Sequence, residues 1–406
     1  MRRNIQFLPV LLFAILFFLL NWYLLGGLQI VLHQAYLPFV FWLLIVTSVG
    51  ALFYAMAGMQ TRGMGRFFKI ATHAFLMLFV SELLFIILLL LDDIFRLLVG
   101  LVNLASSHQF TAPARSEIWI FGAIAVFFIS ILLFIYGIVK GKYRYRVIKH
   151  TLYFENLPQA FDGFTLTQIS DVHAGSFTNA KEVQKGIDLI NAQKSDLFVF
   201  TGDLVNNKSE EIKPWIGHFS QIKAPFGQFS ILGNHDYGDY LKWPSEFAKS
   251  ANLDQLKKYH AELGFKLLLD EHVYLQKDGQ HIVLAGIENW GLGFGERGDL
   301  KKALKNTTNE EFKILLSHDP SHWEVQVKNN ASLINLTLAG HTHGMQFGIE
   351  AFGIKWSPVK LRYKHWAGIK EENGRILNVN RGFGFIGFSG RIGIWPEVSV
   401  ITLRKK

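Results

Sequence analysis

The sequence contains no cysteine among its 406 residues. Disulfide bonds, catalytic thiols and thiolate metal ligands are therefore excluded. A metal site in this chain must use carboxylate, carboxamide or imidazole side chains. The absence of cysteine is compatible with a cytosolic environment.

Charged residues are also scarce, at 18% of the chain, and they are rarest in its first third. Residues 1–139 are dominated by Phe, Leu, Ile and Val, whereas the remainder has the composition of an ordinary globular domain. Four apolar runs have the length of about 20 residues that a hydrocarbon layer of ~30 Å requires. We expect membrane-spanning helices at about residues 5–25, 37–58, 70–91 and 118–139.

The first apolar run follows Arg2 and Arg3, as the core of a signal peptide would. It is too long for that role and has no small-x-small cleavage site, so we interpret it as a retained helix.

The basic residues between the spans predict the orientation of the chain. The 26–36 loop has no Lys or Arg, whereas the 59–69 loop and the juxtamembrane segment 140–150 are rich in them. The positive-inside rule then places both termini and the C-terminal domain on the cytoplasmic side of the cell inner membrane. The juxtamembrane segment is either this topology signal alone or also a site for anionic lipid. It explains the net charge of +9, so we expect no nucleic-acid partner.

Glu82 is an ionisable residue inside the third predicted span. Such a residue is costly in a bilayer and often functional. The simpler interpretation is that Glu82 faces the helix bundle and forms a hydrogen bond with Thr72, Ser81 or a similar neighbour. A four-span transporter with an enzymatic appendage is an alternative hypothesis.

Residues 151–406 alternate between predicted strands and helices, which indicates a layered α/β domain with ligands at the carboxyl ends of its strands. A strand is also expected to begin near Tyr143. The predicted strands are 164–170, 197–201, 228–232, 281–287, 313–317, 335–339, 375–380 and 398–403, and the predicted helices are 180–193, 245–263 and 300–305.

Four of the strands end abruptly in side chains that bind metals. Such an ending is weak evidence on its own, because most isolated Asp-x-His or His-x-His pairs lie in ordinary turns. Four endings in one domain require a common cause. Together with a histidine after a fifth strand, the candidate ligands are Asp171, His173, Asp203, Asn234, His318, His341 and His343.

Oxygen and imidazole ligands suit Mn, Fe or Zn better than Ca, which prefers oxygen alone. Seven ligands are too many for one four-coordinate ion, but they fit two ions that share a bridging carboxylate. Two ions ~3.5–4 Å apart can hold a phosphate group and activate water at neutral pH. The sequence therefore predicts a site with two divalent ions that acts on a phosphorylated small molecule or lipid.

The order of these motifs resembles the calcineurin-like metallophosphoesterase superfamily. The resemblance is carried by Asp171-x-His173, Gly202-Asp203, Gly233-Asn234-His235-Asp236, His318-Asp319-Pro320 and Gly340-His341-Thr342-His343. The segments Arg381–Gly384 and Trp395–Val398 are similar to those of its membrane-anchored bacterial branch. The resemblance implies an α-β-β-α sandwich behind the transmembrane region. Met345 departs from that branch, which often has a second glycine there, and the departure bears on the shape of the loop and the fit of the substrate.

The resemblance also implies a role for each ligand. One ion would be held by Asp171, His173, Asp203 and His343, and the other by Asp203, Asn234, His318 and His341. His235, oriented by Asp236, would stabilise or protonate the leaving group after attack of a metal-bridging hydroxide. The bond cleaved would be a phosphodiester or pyrophosphate of a membrane-associated substrate. A non-catalytic membrane sensor or scaffold that binds a phosphorylated ligand is the alternative.

Two further signals carry less weight. Residues 293–298 match the glycine spacing of a dinucleotide-binding loop, but no suitable βαβ unit follows, so we expect a flexible loop. Arg381 and Arg391 lie in turns rich in Gly and Phe, where contact with a phosphate group and ordinary surface placement are equally plausible.

Overall fold

The computed structural model describes residues 7–62, 65–107 and 109–406. Arg2 and Arg3 lie outside these ranges. The chain divides into two compact units, one ending at Tyr136 and the other beginning at Gly137.

The first unit contains four long apolar helices, as predicted. Each helix is long and apolar enough to cross a membrane. Leucine, isoleucine and phenylalanine side chains pack between them, including Leu24, Phe85, Leu89 and Ile120. The helices are α1 (Phe7–Val31), α2 (Leu37–Arg62), α3 (Arg66–Ser107) and α4 (Glu117–Val139).

Helix α3 is longer than predicted, because the expected loop at 92–117 begins only after Ser107. Asp93 lies within the helix, where it pairs with Arg96 at 2.8 Å and also with Arg115. These charges end the uncharged run without ending the helix. At ~1.5 Å per residue, α3 is about 60 Å long, roughly twice the hydrocarbon thickness.

In the described part of the chain, Glu82 does not form the expected hydrogen bond with Thr72 or Ser81, because both hydroxyl groups donate to other acceptors. Ser81 donates to Ser130 at 2.9 Å, and Thr72 donates to the carbonyl oxygen of Phe68 at 2.8 Å. Glu82 itself is buried, with 6% of its surface exposed.

The second unit is built on two six-stranded mixed sheets. The first sheet contains, from edge to edge, β1 (Arg146–Phe154), β16 (Glu397–Lys405), β2 (Thr165–Ile169), β3 (Leu197–Thr201), β4 (Gln228–Ile231) and β5 (Lys266–Leu267). The second contains β14 (Gly368–Glu372), β15 (Arg375–Val379), β11 (Leu336–Ala339), β10 (Lys313–Leu316), β7 (Gln280–Gly286) and β6 (Glu271–Lys277). Short hairpins are formed by β8 (Trp290–Gly291) with β9 (Gly295–Glu296), and by β12 (Ile349–Ala351) with β13 (Ile354–Trp356).

The two sheets pack face to face, and helices or turns cover their outer faces. Leu197 and Val199 of β3 point into the apolar layer between the sheets, where Ile314 of β10 also lies. The alternate residues Phe198 and Phe200 point outward and pack with the helices. This twofold alternation is what a strand buried on both faces requires. The helices are α5 (Ala180–Asn191), α6 (Ile216–Phe219), α7 (Glu246–Glu262), α8 (Leu300–Ala303) and α9 (Pro320–His322).

The predicted α/β fold with a layered sandwich is confirmed, and most strand ends lie within two residues of their predicted positions. The strand expected near Tyr143 begins only at Arg146, after a short 3-10 turn. The edge strands β6 and β14 were not predicted, because both are only partly buried and rich in polar residues.

Candidate metal centre

Parallel pairing brings the predicted ligands to one edge of each sheet. Strands β2, β3 and β4 are parallel neighbours, and so are β10 and β11. The carboxyl ends of parallel strands meet at the same edge, so the residues that follow them converge. All seven predicted ligands lie after these five strands, and apart from half-buried His341 all are buried.

Five of the ligand residues adopt a left-handed backbone conformation, with φ between +46° and +68°. This region is uncommon for residues other than glycine, and it is concentrated at functional sites. Here the left-handed turn directs each side chain back across the end of its strand. The five residues are Asp171, His173, Asp203, His341 and His343.

The first group of ligands contains Asp171, His173 and His343, whose ligand atoms lie within 4.8 Å of one another. The Nε2 atoms of the two histidines are 3.0 Å apart. The Nε2 atom of His343 is also 3.2 Å from Oδ1 of Asp171. Three donor atoms therefore converge on one point.

The second group contains Asp203, His318 and His341, again within 4.8 Å. Asn234 joins them, since its Oδ1 lies 3.2 Å from Nε2 of His318 and 2.9 Å from Nδ1 of His341. The two ring nitrogens are 3.3 Å apart.

Asp203 connects the two groups through one oxygen atom. Its Oδ2 is 3.5 Å from Nε2 of His173 in the first group and 3.2 Å from Nε2 of His318 in the second. Its Oδ1 accepts a hydrogen bond from the backbone N–H of His235 at 2.9 Å, which fixes the carboxylate plane. One oxygen atom of Asp203 therefore faces both groups of ligands.

The second group fits a cation because each of its facing atoms can offer a lone pair. Asn234 donates its Nδ2 to Tyr240, so its Oδ1 faces the histidines. His318 donates Nδ1 to a main-chain carbonyl at 2.7 Å, and Nε2 of His341 lies 3.3 Å from a carboxylate oxygen of Asp319. Nδ1 of His341 carries a lone pair, Nε2 of His318 offers one once its proton is displaced, and both nitrogens point at Oδ1 of Asn234. Ligands about 2.1 Å from one ion and at right angles would lie about 3 Å apart, as these do.

Burial and the neighbouring charges shift the pKa values of Asp203 and His318 in opposite directions. Burial alone would raise the pKa of Asp203, but the nearby His318 and His235 hold it well below its usual range. Burial would likewise lower the pKa of His318, but the charge and hydrogen bond of Asp203 raise it to about 10. Burial lowers the pKa of His341 to about 4. Without an ion, a proton on His318 therefore compensates the buried carboxylates.

Two glycines allow the strand ends to approach one another. A Cβ atom at Gly233 would collide with the carboxylate of Asp203, and one at Gly340 would collide with Asp171 and Ser170. Neither position can carry a side chain without moving a ligand.

Asp236 does not orient His235 as expected. Its carboxylate accepts four main-chain hydrogen bonds, from Gly233 at 2.9 Å, Asp203 at 2.9 Å, Leu204 at 2.8 Å and Val205 at 3.2 Å. These hydrogen bonds link the loop after β3 to the loop after β4.

The ring of His235 is instead held by the main-chain carbonyl of Asn206, which is 2.8 Å from Nδ1. The ring lies edge-on to that of His173, with centroids 5.0 Å apart. His235 therefore lies beside the first group of ligands, with Nε2 available to a substrate oxygen.

Several residues around the ligands were not identified from the sequence. The ring of Tyr240 packs on His235 at 4.5 Å, and that of Phe294, in the glycine-rich loop, packs on His341 at 4.6 Å. Tyr363 donates to Asp319 at 3.0 Å. These contacts join distant loops, and no local sequence pattern indicates them.

Arg381 and Arg391 are buried, so their ordinary surface placement is wrong, whereas contact with a phosphate group stays a prediction. Arg381 pairs with Glu397 and Glu350. Arg391 is fully buried behind His343, with Nη2 located 3.3 Å from Nδ1 of that ring. Both arginines support the strand ends from within the domain.

A two-sheet sandwich with clustered Asp, Asn and His side chains at its strand ends defines a metal-dependent phosphoesterase. Residues 164–345 match the calcineurin-like phosphoesterase family, and residues 3–142 match the probable calcineurin-like phosphoesterase transmembrane domain. The chain belongs to the calcineurin-like metallophosphoesterase family. It is a phosphoester hydrolase with a transmembrane domain.

Three relatives illustrate this similarity. The metallophosphoesterase YkuE of Bacillus subtilis is 30% identical over 259 residues, which cover 63% of this chain and 84% of that protein. A metallophosphoesterase of Aquifex aeolicus is 28% identical over 284 residues, covering 69% of this chain and 99% of that protein. The UDP-2,3-diacylglucosamine pyrophosphatase LpxG of Chlamydia trachomatis is 28% identical over 275 residues, covering 56% and 81% respectively.

Proposed function

We propose that this chain is a membrane-anchored hydrolase that uses two divalent metal ions, of Mn, Fe or Zn, to cleave a phosphodiester or pyrophosphate bond. The observation that supports this most directly is the position of Asp203, one oxygen of which faces both groups of ligands. Asp171, His173 and His343 would hold one ion with Asp203. Asn234, His318 and His341 would hold the other. When bound, such ions polarise the phosphorus–oxygen bonds and lower the pKa of coordinated water.

The protein groups around the ligands position and stabilise the substrate. The Asn206 carbonyl accepts Nδ1–H of His235, so the ring donates Nε2–H to an oxygen of the phosphate or of the leaving group when it carries a proton on both nitrogens. The hydroxyl of Tyr240 accepts from Asn234, so its own proton can be donated to a substrate oxygen. The chain has no cysteine for a thiol nucleophile, and direct attack by water fits this arrangement.

The proposed substrate is associated with the membrane. The four apolar helices anchor the chain, and helix α4 ends at Val139, shortly before β1 begins at Arg146. The name of the relative LpxG describes it as a pyrophosphatase that acts on UDP-2,3-diacylglucosamine. We propose a lipid-linked phosphodiester or pyrophosphate as the substrate class.

Hydrolysis of an aryl phosphodiester in the presence of Mn²⁺ tests the catalytic proposal. We expect Asp203→Asn and His235→Ala to lower kcat/KM at least ~100-fold, since each removes charge stabilisation or proton transfer. The exposed residues Asp254 and His281 provide matched controls, and Asp254→Asn and His281→Ala should behave as the unmodified protein. Equal rates in all five proteins would favour a non-catalytic sensor or scaffold.

The membrane-associated substrate is tested by removing residues 1–139. The truncated and complete proteins should hydrolyse a water-soluble aryl phosphodiester equally fast, because all proposed ligands lie after residue 139. The complete protein in lipid should process a bilayer-embedded phosphodiester faster. Equal rates on the embedded substrate would contradict this part of the proposal.

A further inference from the structure

A cavity of about 210 Å³ lies among the four apolar helices. Its walls include Leu24 of α1, Phe41 of α2, Phe85 of α3 and Phe127 of α4. A cavity of ~150 Å³ lined by Leu, Ile and Phe is already large enough to bind benzene. The cavity therefore has room for an aromatic ring or for a segment of an alkyl chain.

Glu82 contributes the one polar side chain among the residues that line the cavity. Its side chain is 94% buried, since 6% of its surface is exposed. Within the described part of the chain, no hydrogen bond or ion pair reaches Glu82, and the nearby Ser81 is already bonded to Ser130. A carboxyl group without a hydrogen-bond partner is energetically costly in apolar surroundings. A ligand that donates a hydrogen bond to Glu82 would offset this cost.

The walls of the cavity indicate what kind of ligand this is. A buried water molecule needs two to four polar partners, and a bound Ca²⁺ or Mg²⁺ ion needs several oxygen ligands. A single carboxyl in an apolar cavity satisfies neither requirement. A cavity with these walls matches a molecule that is apolar along its length and carries one hydrogen-bond donor.

Three of the lining residues are also exposed. Leu32, Leu44 and Phe128 have 38%, 61% and 59% of their surface exposed. Around membrane-spanning helices such surface faces hydrocarbon. The ligand can therefore enter from the bilayer.

We propose that this cavity binds a membrane-soluble ligand with an alkyl or aromatic body and a terminal hydroxyl or amine, which donates a hydrogen bond to Glu82. This site is separate from the metal centre, and its binding does not depend on the proposed hydrolysis.

Photolabelling of the complete protein in lipid nanodiscs tests the site. The probe is a long-chain alcohol carrying a diazirine, and labelled peptides are identified by mass spectrometry. We expect labels on the lining segments, competition by n-decanol and n-decylamine, and no competition by n-decane. Glu82→Leu should lower labelling about tenfold, because the hydrogen bond is lost.

Other variants distinguish the contribution of the Glu82 carboxyl group to binding from that of the cavity volume. Leu78→Phe fills the cavity but keeps Glu82, so it should also abolish labelling. Glu82→Gln keeps an acceptor oxygen, so it should retain competition by the alcohol and weaken competition by the amine. Ser81→Ala is the matched control and should label normally.

Size-exclusion chromatography and far-UV circular dichroism of each variant in lipid nanodiscs show whether the membrane unit is folded. Equal labelling of the unmodified protein and Glu82→Leu would overturn the proposal. So would equal competition by decane and decanol, because the cavity would then be an apolar void. If Glu82→Leu does not fold, Glu82→Gln and Leu78→Phe decide the question.

Discussion

His318 is the residue at which a proton and a metal ion would compete for the same lone pair. Its Nδ1 is engaged by a main-chain carbonyl, and its Nε2 faces Asp203 and Asn234. The raised pKa of His318, about 10, means that the metal-free protein carries a proton there at neutral pH. A cation must displace this proton in order to bind.

We therefore predict that metal binding releases about one proton at neutral pH. Below pH ~10, where His318 is protonated in the metal-free protein, each unit of decreasing pH should weaken binding about tenfold. Titration calorimetry with Mn²⁺ in two buffers of different ionisation enthalpy measures the released proton. The surface variant His281→Gln should give the same value. A heat of binding that does not depend on the buffer would contradict this role of His318.

Among the structural elements, the carboxyl ends of β3 and β4 are held together by a buried carboxylate. The four N–H groups that Asp236 accepts belong to the loops after these two strands. Without it, four buried donors would lack their acceptor, which is more costly than losing a surface contact.

We predict that Asp236→Ala lowers the free energy of unfolding by about 3 kcal/mol and the apparent Tm by about 5 °C or more. It should also weaken Mn²⁺ binding, because Asp203 and Asn234 lie in the released loops. Asp239→Ala is the control from the same loop, since its ion pairs with Lys249 and Arg297 are partly exposed and contribute little. Thermal scans in which both variants melt alike would refute the prediction.

Features set by residues close together in the chain could be predicted from the sequence, whereas features set by contacts between distant loops could not. The apolar runs of β2, β3, β4 and β11 and their abrupt polar ends are local patterns, so they predicted the strands and the convergence of the ligands. The extension of α3 past Asp93 was missed, because charge ends a membrane span but not a helix. The contacts of Asp236 and the burial of Arg391 depend on loops far apart in the chain, which no local pattern reports.

The whole molecule combines a membrane unit with a hydrolase unit, and the orientation of the chain remains a prediction from its basic residues. The absence of cysteine makes the orientation accessible to experiment, because a single introduced thiol has no background. Gln34 and Glu155 are both exposed, and they lie in segments predicted on opposite sides of the membrane.

We predict that Gln34→Cys reacts with a membrane-impermeant maleimide added to intact spheroplasts. Glu155→Cys should react only after the membrane is permeabilised. The unmodified protein, which has no thiol, is the control for both variants. Labelling of Glu155→Cys in intact spheroplasts would reverse the proposed orientation.

The number of metal ions bound per chain tests the central proposal most directly. Elemental analysis of the complete protein, purified without chelators and supplied with Mn²⁺, should find two ions per chain. In Asp203→Asn the shared carboxylate is lost, and occupancy should fall to one ion or fewer. A single ion in the unmodified protein, or two ions retained by Asp203→Asn, would contradict a centre in which Asp203 joins two cations.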